Sequence, residues 1–262
     1  MIQQRHPGNR RVGLNFCSMS YKLEICSFNL ASALIAQQAG AQRVELCASP
    51  EEGGTTPSLG VIRAAREQLQ IDLYPIIRPR GGDFLFSEEE FGVMLKEIAF
   101  CKEVGCNGVV IGLLHADGTI DKKRCSRLVE VAYPMGVTFH RAFDWAINPF
   151  EAMEDIISIG CERILTSGQR PTAMEGVDML NELVRQADDR ILIMPGSGVR
   201  SSNITSLVEK TDASEYHTSA RIRVASAMEF VNTAMHEEQS VTMADGEEIE
   251  KIVASLRLLV GS

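Results

Sequence analysis

No stretch of this 262-residue chain approaches the roughly 20 consecutive apolar side chains that a membrane-spanning helix needs. Met1 to Arg11 is polar, with no apolar segment behind it that would read as a secretory signal. A cytoplasmic protein without a membrane partner is therefore expected. Cysteine is present without a pattern: Cys17, Cys26, Cys47, Cys101, Cys106, Cys125 and Cys161 make an odd number and contain no Cys-x-x-Cys. That excludes a disulfide framework and a structural zinc site and leaves reduced thiols. Positive charge is in deficit. The 26 Lys and Arg against 35 Asp and Glu give a net charge of -9, the wrong sign for tracking a phosphate backbone, so nucleic acid is not an expected partner. The chain has no Gly-rich dinucleotide fingerprint and no nucleophile elbow in a Ser-His-Asp order, so no nucleotide cofactor is indicated.

What the chain does have is a regular alternation. At this length a protein buries roughly 75% of its unfolded surface, and single α/β barrels run to about 250 residues. Residues 1–20, with His6-Pro7-Gly8-Asn9, show no periodicity and read as a poorly ordered leader. Met19 is expected to mark the start of the protein proper, the alternative being a short strand that plugs the barrel bottom. Patterning begins at Tyr21 and continues to the end, which makes 21–262 one expected domain.

Eight short β-rich runs start Leu23, Arg43, Leu73, Gly108, Val137, Arg163, Ile191 and Glu215, each followed by an amphipathic helical stretch. The helices begin near Asn29, Ser58, Ser87, Asp121, Pro149, Ala173, Ser201 and Asp245. Ser87 with Glu90 has the form of a capping box, and Gly40, Gly105, Gly136 and Gly160 stand where left-handed C-caps are wanted. Eight βα units predict an α/β fold, a single (β/α)8 TIM barrel, with an open doubly wound sheet as the alternative.

Barrel chemistry collects at the C-terminal ends of the strands, and here those ends are polar. Period-2 alternation puts Glu24 with Cys26, and Glu45 with Cys47, on the inward face, while Leu23, Ile25, Val44 and Leu46 face the helices. The same count turns Arg78, Thr138, His140, Glu215 and His217 inward. Isolated buried charge is costly, so this set is expected to be mutually paired around a solvated mouth, with Arg78 bridging to Glu24 or Glu45.

Several motifs then identify a family resemblance. Lys22-Leu23-Glu24-Ile25-Cys26, Arg43-Val44-Glu45-Leu46-Cys47 with Glu52-Gly53-Gly54-Thr55-Thr56-Pro57-Ser58-Leu59-Gly60, and Pro75-Ile76-Ile77-Arg78-Pro79-Arg80-Gly81-Gly82-Asp83-Phe84 resemble the CutC copper homeostasis family. Val137 to Asp144, Leu165 to Gln169 and His217-Thr218-Ser219-Ala220 continue the match, which runs from Tyr21 to the C-terminus. Met194-Pro195-Gly196-Ser197-Gly198 departs from a familiar Ala-Gly-Ala-Gly form, and Pro195 removes one backbone donor there. The resemblance implies a cytoplasmic (β/α)8 barrel, a homo-oligomer, linked to copper, with Cys26 and Cys47 as the Cu(I) ligands.

Soft thiolates select Cu(I); Met194 would add a thioether, and His140 or His217 an imidazole. A second reading is an enzyme acting on a small anionic metabolite, phosphorylated or carboxylated. It takes Glu24, Glu45, His140 and His217 as acid and base candidates and Arg78 and Arg80 as anion holders. Asp144 would orient His140 or pair with an arginine, and the Gly196-Ser197-Gly198 turn would offer N–H groups to the anion. A third reading is a barrel without catalysis that serves as a scaffold. His6, His115 and His236 receive no role, and Cys101, Cys106, Cys125 and Cys161 are read as packing residues.

Overall fold

The first strand carries a perfect alternation of apolar and chemical side chains, and the whole architecture repeats it. In the computed structural model, which describes residues 21–236 and 239–260, the order is β1 (Lys22–Ser27), α1 (Leu30–Gln38), β2 (Arg43–Leu46), α2 (Leu59–Gln68), β3 (Asp72–Pro75), α3 (Glu88–Glu103), β4 (Gly108–Ile111) and α4 (Lys122–Ala132). Then come β5 (Gly136–Phe139), α5 (Pro149–Ile159), β6 (Arg163–Thr166), α6 (Val177–Ala187), β7 (Leu192–Pro195), α7 (Ile204–Thr211) and β8 (Glu215–Thr218). A ribbon of β9 (Arg221–Ala225) and β10 (Ser240–Ala244) precedes the last helix, α8 (Gly246–Val260). The leader, and with it the expectations about Met19 and a barrel plug, lies outside the described residues.

Strands β1 to β8 are parallel, in two sets ordered β8–β1–β2–β3 and β4–β5–β6–β7. A parallel bridge between Ile76 and Val110 joins β3 to β4. At the other seam Gly196, just past β7, lies under His217 of β8, where a Cβ would stand 3.4 Å from that of His217. The strands thus follow one another in chain order around a (β/α)8 barrel. Leu23, Ile25, Val44, Leu46, Leu73, Val109, Ile111, Phe139, Ile164 and Ile193 face outward and are buried beneath the helices, which is where most of the hydrophobic stabilisation sits.

Local signals explain the helix starts. Ser87 makes the reciprocal capping box with Glu90, and Asn29 and Asn148 cap α1 and α5, the latter with Pro149 at the first helical position. Gly40, Gly105 and Gly160 take positive φ at the helix-to-strand turns. Gly136 does not: it is the first residue of β5, beneath the Tyr74 hydroxyl, where a Cβ would be 2.4 Å away. Two other differences concern the end of the chain. Helix α7 begins at Ile204 rather than Ser201, and the β9–β10 ribbon has no counterpart in the eight βα units.

Candidate functional site

The inward positions of the strands are mostly polar, and they are satisfied in tiers. At the lower tier Arg43, the first residue of β2, is ion-paired to Glu24 and reaches Glu215 at 2.6 Å; Arg163, the first residue of β6, reaches the same Glu215 carboxylate at 2.6 Å. Arg163 also donates to Thr138 Oγ1 at 3.0 Å and to Glu162 at 2.9 Å, and the Tyr74 hydroxyl donates to Glu162 at 2.7 Å. All of these except Glu162 are buried. The charges therefore sit in a closed network, which is the condition under which a barrel interior tolerates them. Arg78 is not part of it. Its guanidinium donates instead to three main-chain carbonyls, those of Glu52 (2.7 Å), Gly54 (2.9 Å) and Gly82 (2.8 Å). The expected bridge from Arg78 to Glu24 or Glu45 is thus replaced by one from Arg43, which the β1–β2 register sets directly opposite Glu24.

Above the network the barrel opens into a cavity of about 450 Å³ whose walls include Cys26, Glu45, Arg78, Phe84, His140, Arg141, Ser197, Gly198, Arg200 and His217. At its floor the sulfurs of Cys26 and Cys47 are 3.5 Å apart. Those two sulfurs and a Glu45 carboxylate oxygen all lie within 4.8 Å of one another. His217 Nδ1 is 2.7 Å from Glu24, and its Nε2 is 3.8 Å from Glu45. Parallel pairing produces this cluster directly, because Cys26 lies opposite Glu45 and Glu24 opposite both Arg43 and His217.

The five titratable groups of the floor are driven apart. Hydrogen bonding from Cys47 outweighs burial and, with His217 beside it, pulls the Cys26 thiol down to about 6. Burial pushes Cys47 and Glu45 well above their ordinary ranges, and the Cys26 charge reinforces both shifts. Burial acts to lower His217, but Cys26, Glu24 and Glu45 overcome it and raise the imidazole to about 10. Glu24 stays ionised because Arg43 and His217 more than offset its burial. These shifts favour a Cys26 thiolate facing a His217 imidazolium at neutral pH, with the proton of the thiol pair on Cys47, and they shift Glu45 towards its protonated form. Cys26 is 8% exposed and Cys47 1%, so the thiolate is the sulfur that meets the cavity.

The other residues singled out by sequence are distributed differently. His140 lines the cavity but accepts at Nδ1 from the Ala142 N–H (3.1 Å) and stands against Phe84, away from the sulfurs. Burial, with the Arg78 charge second, lowers it to about 3, so it is neutral. Asp144 takes the arginine alternative, pairing with Arg141 at 2.8 Å and accepting from Thr166 Oγ1, Ser167 and Gln169, which ties the loops after β5 and β6 together. Arg80 is bound to Glu90 (2.7 Å) and Asp83 (2.9 Å) and does not line the cavity. Met194 lies one tier down, its sulfur 3.3 Å from Arg43 Nη2, and not beside the thiols. Ser197 and Gly198 are on the rim, both at positive φ, and the Ser197 hydroxyl donates to Pro171 at 2.7 Å. Gly196 is packed below, against Leu165 and His217.

Arg43 and Arg163 were not singled out from the sequence, although the alternation that turns Glu45 and Leu165 inward turns them inward as well. Phe84 and Arg200, both on the cavity wall, carry no sequence signal of that kind.

Comparison with known proteins identifies the family and the fold. A family model described as the CutC family matches residues 21–222. A CutC family protein of Chromobacterium violaceum is 52% identical over 208 residues, covering 79% of this chain and 84% of that protein. One from Parabacteroides distasonis is 48% identical over 229 residues, covering 87% and 94%. Among solved structures, the protein CutC of Streptococcus agalactiae, assigned to copper homeostasis, superposes with a TM-score of 0.73 at 30% identity, covering 76% of this chain and 98% of that one. Phosphoribosylanthranilate isomerase of Thermotoga maritima superposes with a TM-score of 0.59 at 14% identity, covering 90% and 98%, a likeness of fold.

Proposed function

Since the chain belongs to the CutC family, we propose that it binds Cu(I) at the floor of the barrel mouth through the thiolates of Cys26 and Cys47, as a cytoplasmic copper homeostasis protein. The observation that carries this reading is the pair of sulfurs 3.5 Å apart with a Glu45 oxygen beside them. Two thiolates form a soft donor set of low coordination number, which favours Cu(I) over the harder divalent ions. Cys26 is already ionised by its neighbours, and the ion would replace the proton of Cys47, whose thiol burial keeps protonated only while no cation is near. Glu45 supplies a carboxyl at the same spot. It joins the ligand candidates although its sequence position suggested acid–base work. The free, buried state of the described cysteines accords with a reducing compartment.

The test is competition between the protein and a chromophoric Cu(I) chelator under anaerobic, reducing conditions. The wild type is expected to hold one Cu(I) per chain, and Cys26→Ser or Cys47→Ser to lose it. Retention of the ion by both variants would refute the assignment. The family resemblance also implies self-association, and the surface that supports it is the exposed apolar β9–β10 ribbon, with Phe230 73% exposed at its tip.

A further inference from the structure

The cavity wall formed by Arg78 and His140 holds two buried hydrogen-bonding groups that no described residue satisfies, Nε2 of His140 and Nε of Arg78. Both residues line the cavity, and they are only 3% and 5% exposed. Because His140 Nδ1 accepts from the Ala142 N–H, the ring proton sits on Nε2, which makes that atom a donor. Both Nη1 hydrogens of Arg78 go to the carbonyls of Glu52 and Gly54 and one Nη2 hydrogen goes to that of Gly82, which leaves Nε as the guanidinium nitrogen without an acceptor among the described residues. None of those acceptors is a carboxylate, so the charge of Arg78 is held without an ion pair among the described residues. Leaving a buried donor unmet costs roughly 1–3 kcal/mol, more for a charged group. Two such donors on one cavity wall call for an acceptor.

A single side chain lies against both. The Phe84 ring is 4.9 Å from the Arg78 guanidinium carbon and 5.0 Å from the His140 ring. Phe84 is half-buried and belongs to the irregular chain between β3 and α3, so it is the group that can yield when something enters.

We propose that this wall is a binding subsite for a small carboxylate, whose two oxygens accept from His140 Nε2–H and Arg78 Nε–H as the Phe84 ring moves aside. Charge selects the ligand class. The two partnerless nitrogens, one on a cation and one on a neutral ring, suit the single negative charge of a carboxylate, whereas a phosphoryl group carries more charge than the Arg78 guanidinium balances. The cavity, about 450 Å³, lies within the range of small-molecule pockets, roughly 300–1,000 Å³. The subsite uses neither Cys26 nor Cys47 and goes beyond the metal reading.

The experiment is a calorimetric titration of the full-length, copper-free protein with acetate, pyruvate and malonate in turn, and with inorganic phosphate, paired with imidazole NMR of the same samples. At least one carboxylate is expected to saturate and to shift the His140 Nε2–H resonance. His140→Phe keeps the ring and removes the donor, and is expected to weaken that binding by roughly ten- to a hundredfold, the worth of one hydrogen bond to a charged group. Arg78→Met is expected to weaken it at least as much. If that variant does not fold, the His140 variant and the resonance decide alone. The proposal is overturned if no carboxylate moves the His140 resonance, if His140→Phe binds the carboxylate as the wild type does, or if phosphate binds more tightly than every carboxylate at the same residues. No copper is present in any arm, so failure here leaves the Cu(I) reading untouched.

Discussion

Two histidines lining one cavity are set to opposite protonation states by what surrounds each imidazole. His217 has a carboxylate at 2.7 Å and a thiolate neighbour, and its imidazole is raised to about 10. His140 has no anion beside it among the described residues, and burial, with the Arg78 charge second, lowers it to about 3. Imidazole NMR of the intact protein across a pH series should therefore show one histidine still protonated at about pH 8 and another still neutral, as the Nε2–H tautomer, at about pH 5. His217→Gln should delete the first signal and His140→Phe the second; all histidines titrating near 6.5 would refute both environments. The sign of the stability dependence follows. The His217 contribution is whole below its unfolded value of about 6.5 and is lost as pH rises towards 10, whereas His140 is neutral in both states above about 6.5 and opposes folding as pH falls below it. These inward positions were legible in the sequence because alternation in β1, β2, β5 and β8 is unbroken. The partners were less so. Which cation meets Glu24 depends on the relative height of neighbouring strands, and periodicity fixes the face of a side chain without fixing its height.

At the scale of elements, strands β4 and β5 are shaped by what they omit. Gly108 and Gly136 leave room for the Tyr74 ring, and Gly112 leaves room for His140: a Cβ at Gly108 would stand 2.1 Å from the Tyr74 ring, and one at Gly112 would stand 2.4 Å from the imidazole. Tyr74 cannot simply swing away, since its hydroxyl is tied to Glu162 and its face carries Arg43 at 5.3 Å and Arg163 at 5.7 Å. Gly108→Ala should therefore destabilise the protein by about 1–3 kcal/mol, the usual cost of overpacking a filled interior. Gly92→Ala, inside α3 with open space around its Cα, should stabilise by about 0.5–1 kcal/mol through helix propensity alone. Denaturant unfolding of the two variants beside the wild type measures the contrast, and equal effects of one sign would contradict the packing argument. Helix starts were readable because a cap is a local motif, as Ser87 with Glu90 shows. The role of Gly136 was not, because its constraint comes from Tyr74, sixty-two positions away in sequence.

The barrel as a whole was legible from its rhythm, since eight apolar outer faces against eight helices leave a repeating trace in the sequence. The β9–β10 ribbon left none, because a two-stranded ribbon with solvent on much of both faces has no core side to mark. The matched family region ends at residue 222, just where the ribbon begins. It is fixed to the barrel at its base, where Asn29 donates to the Thr242 carbonyl at 2.9 Å, the Ala244 N–H to Ser32 Oγ at 3.1 Å, and Arg223 to Glu51 at 2.7 Å. Ile222 lies opposite Met243, whose sulfur rests on Asn29 and Ser32 at the base; farther out Val224 lies opposite Val241, and Met228, Phe230 and Val231 stand exposed at the far end. An isolated hairpin is marginal in water, and a contiguous apolar surface of this kind marks an interaction site. A second copy of the same ribbon is the partner proposed above, because a two-fold axis would set each apolar face and free strand edge against its own equivalent. Sedimentation equilibrium of the full-length protein is therefore expected to show a dimer or a higher even assembly. The double variant Val224→Lys with Phe230→Lys should weaken that assembly by at least about tenfold, roughly 1.4 kcal/mol, through like charges brought face to face. The barrel's circular dichroism should not change, because neither residue touches the core. A wild type that is monomeric at every concentration, or a double variant that assembles as the wild type does, would show that the ribbon serves something other than a second copy.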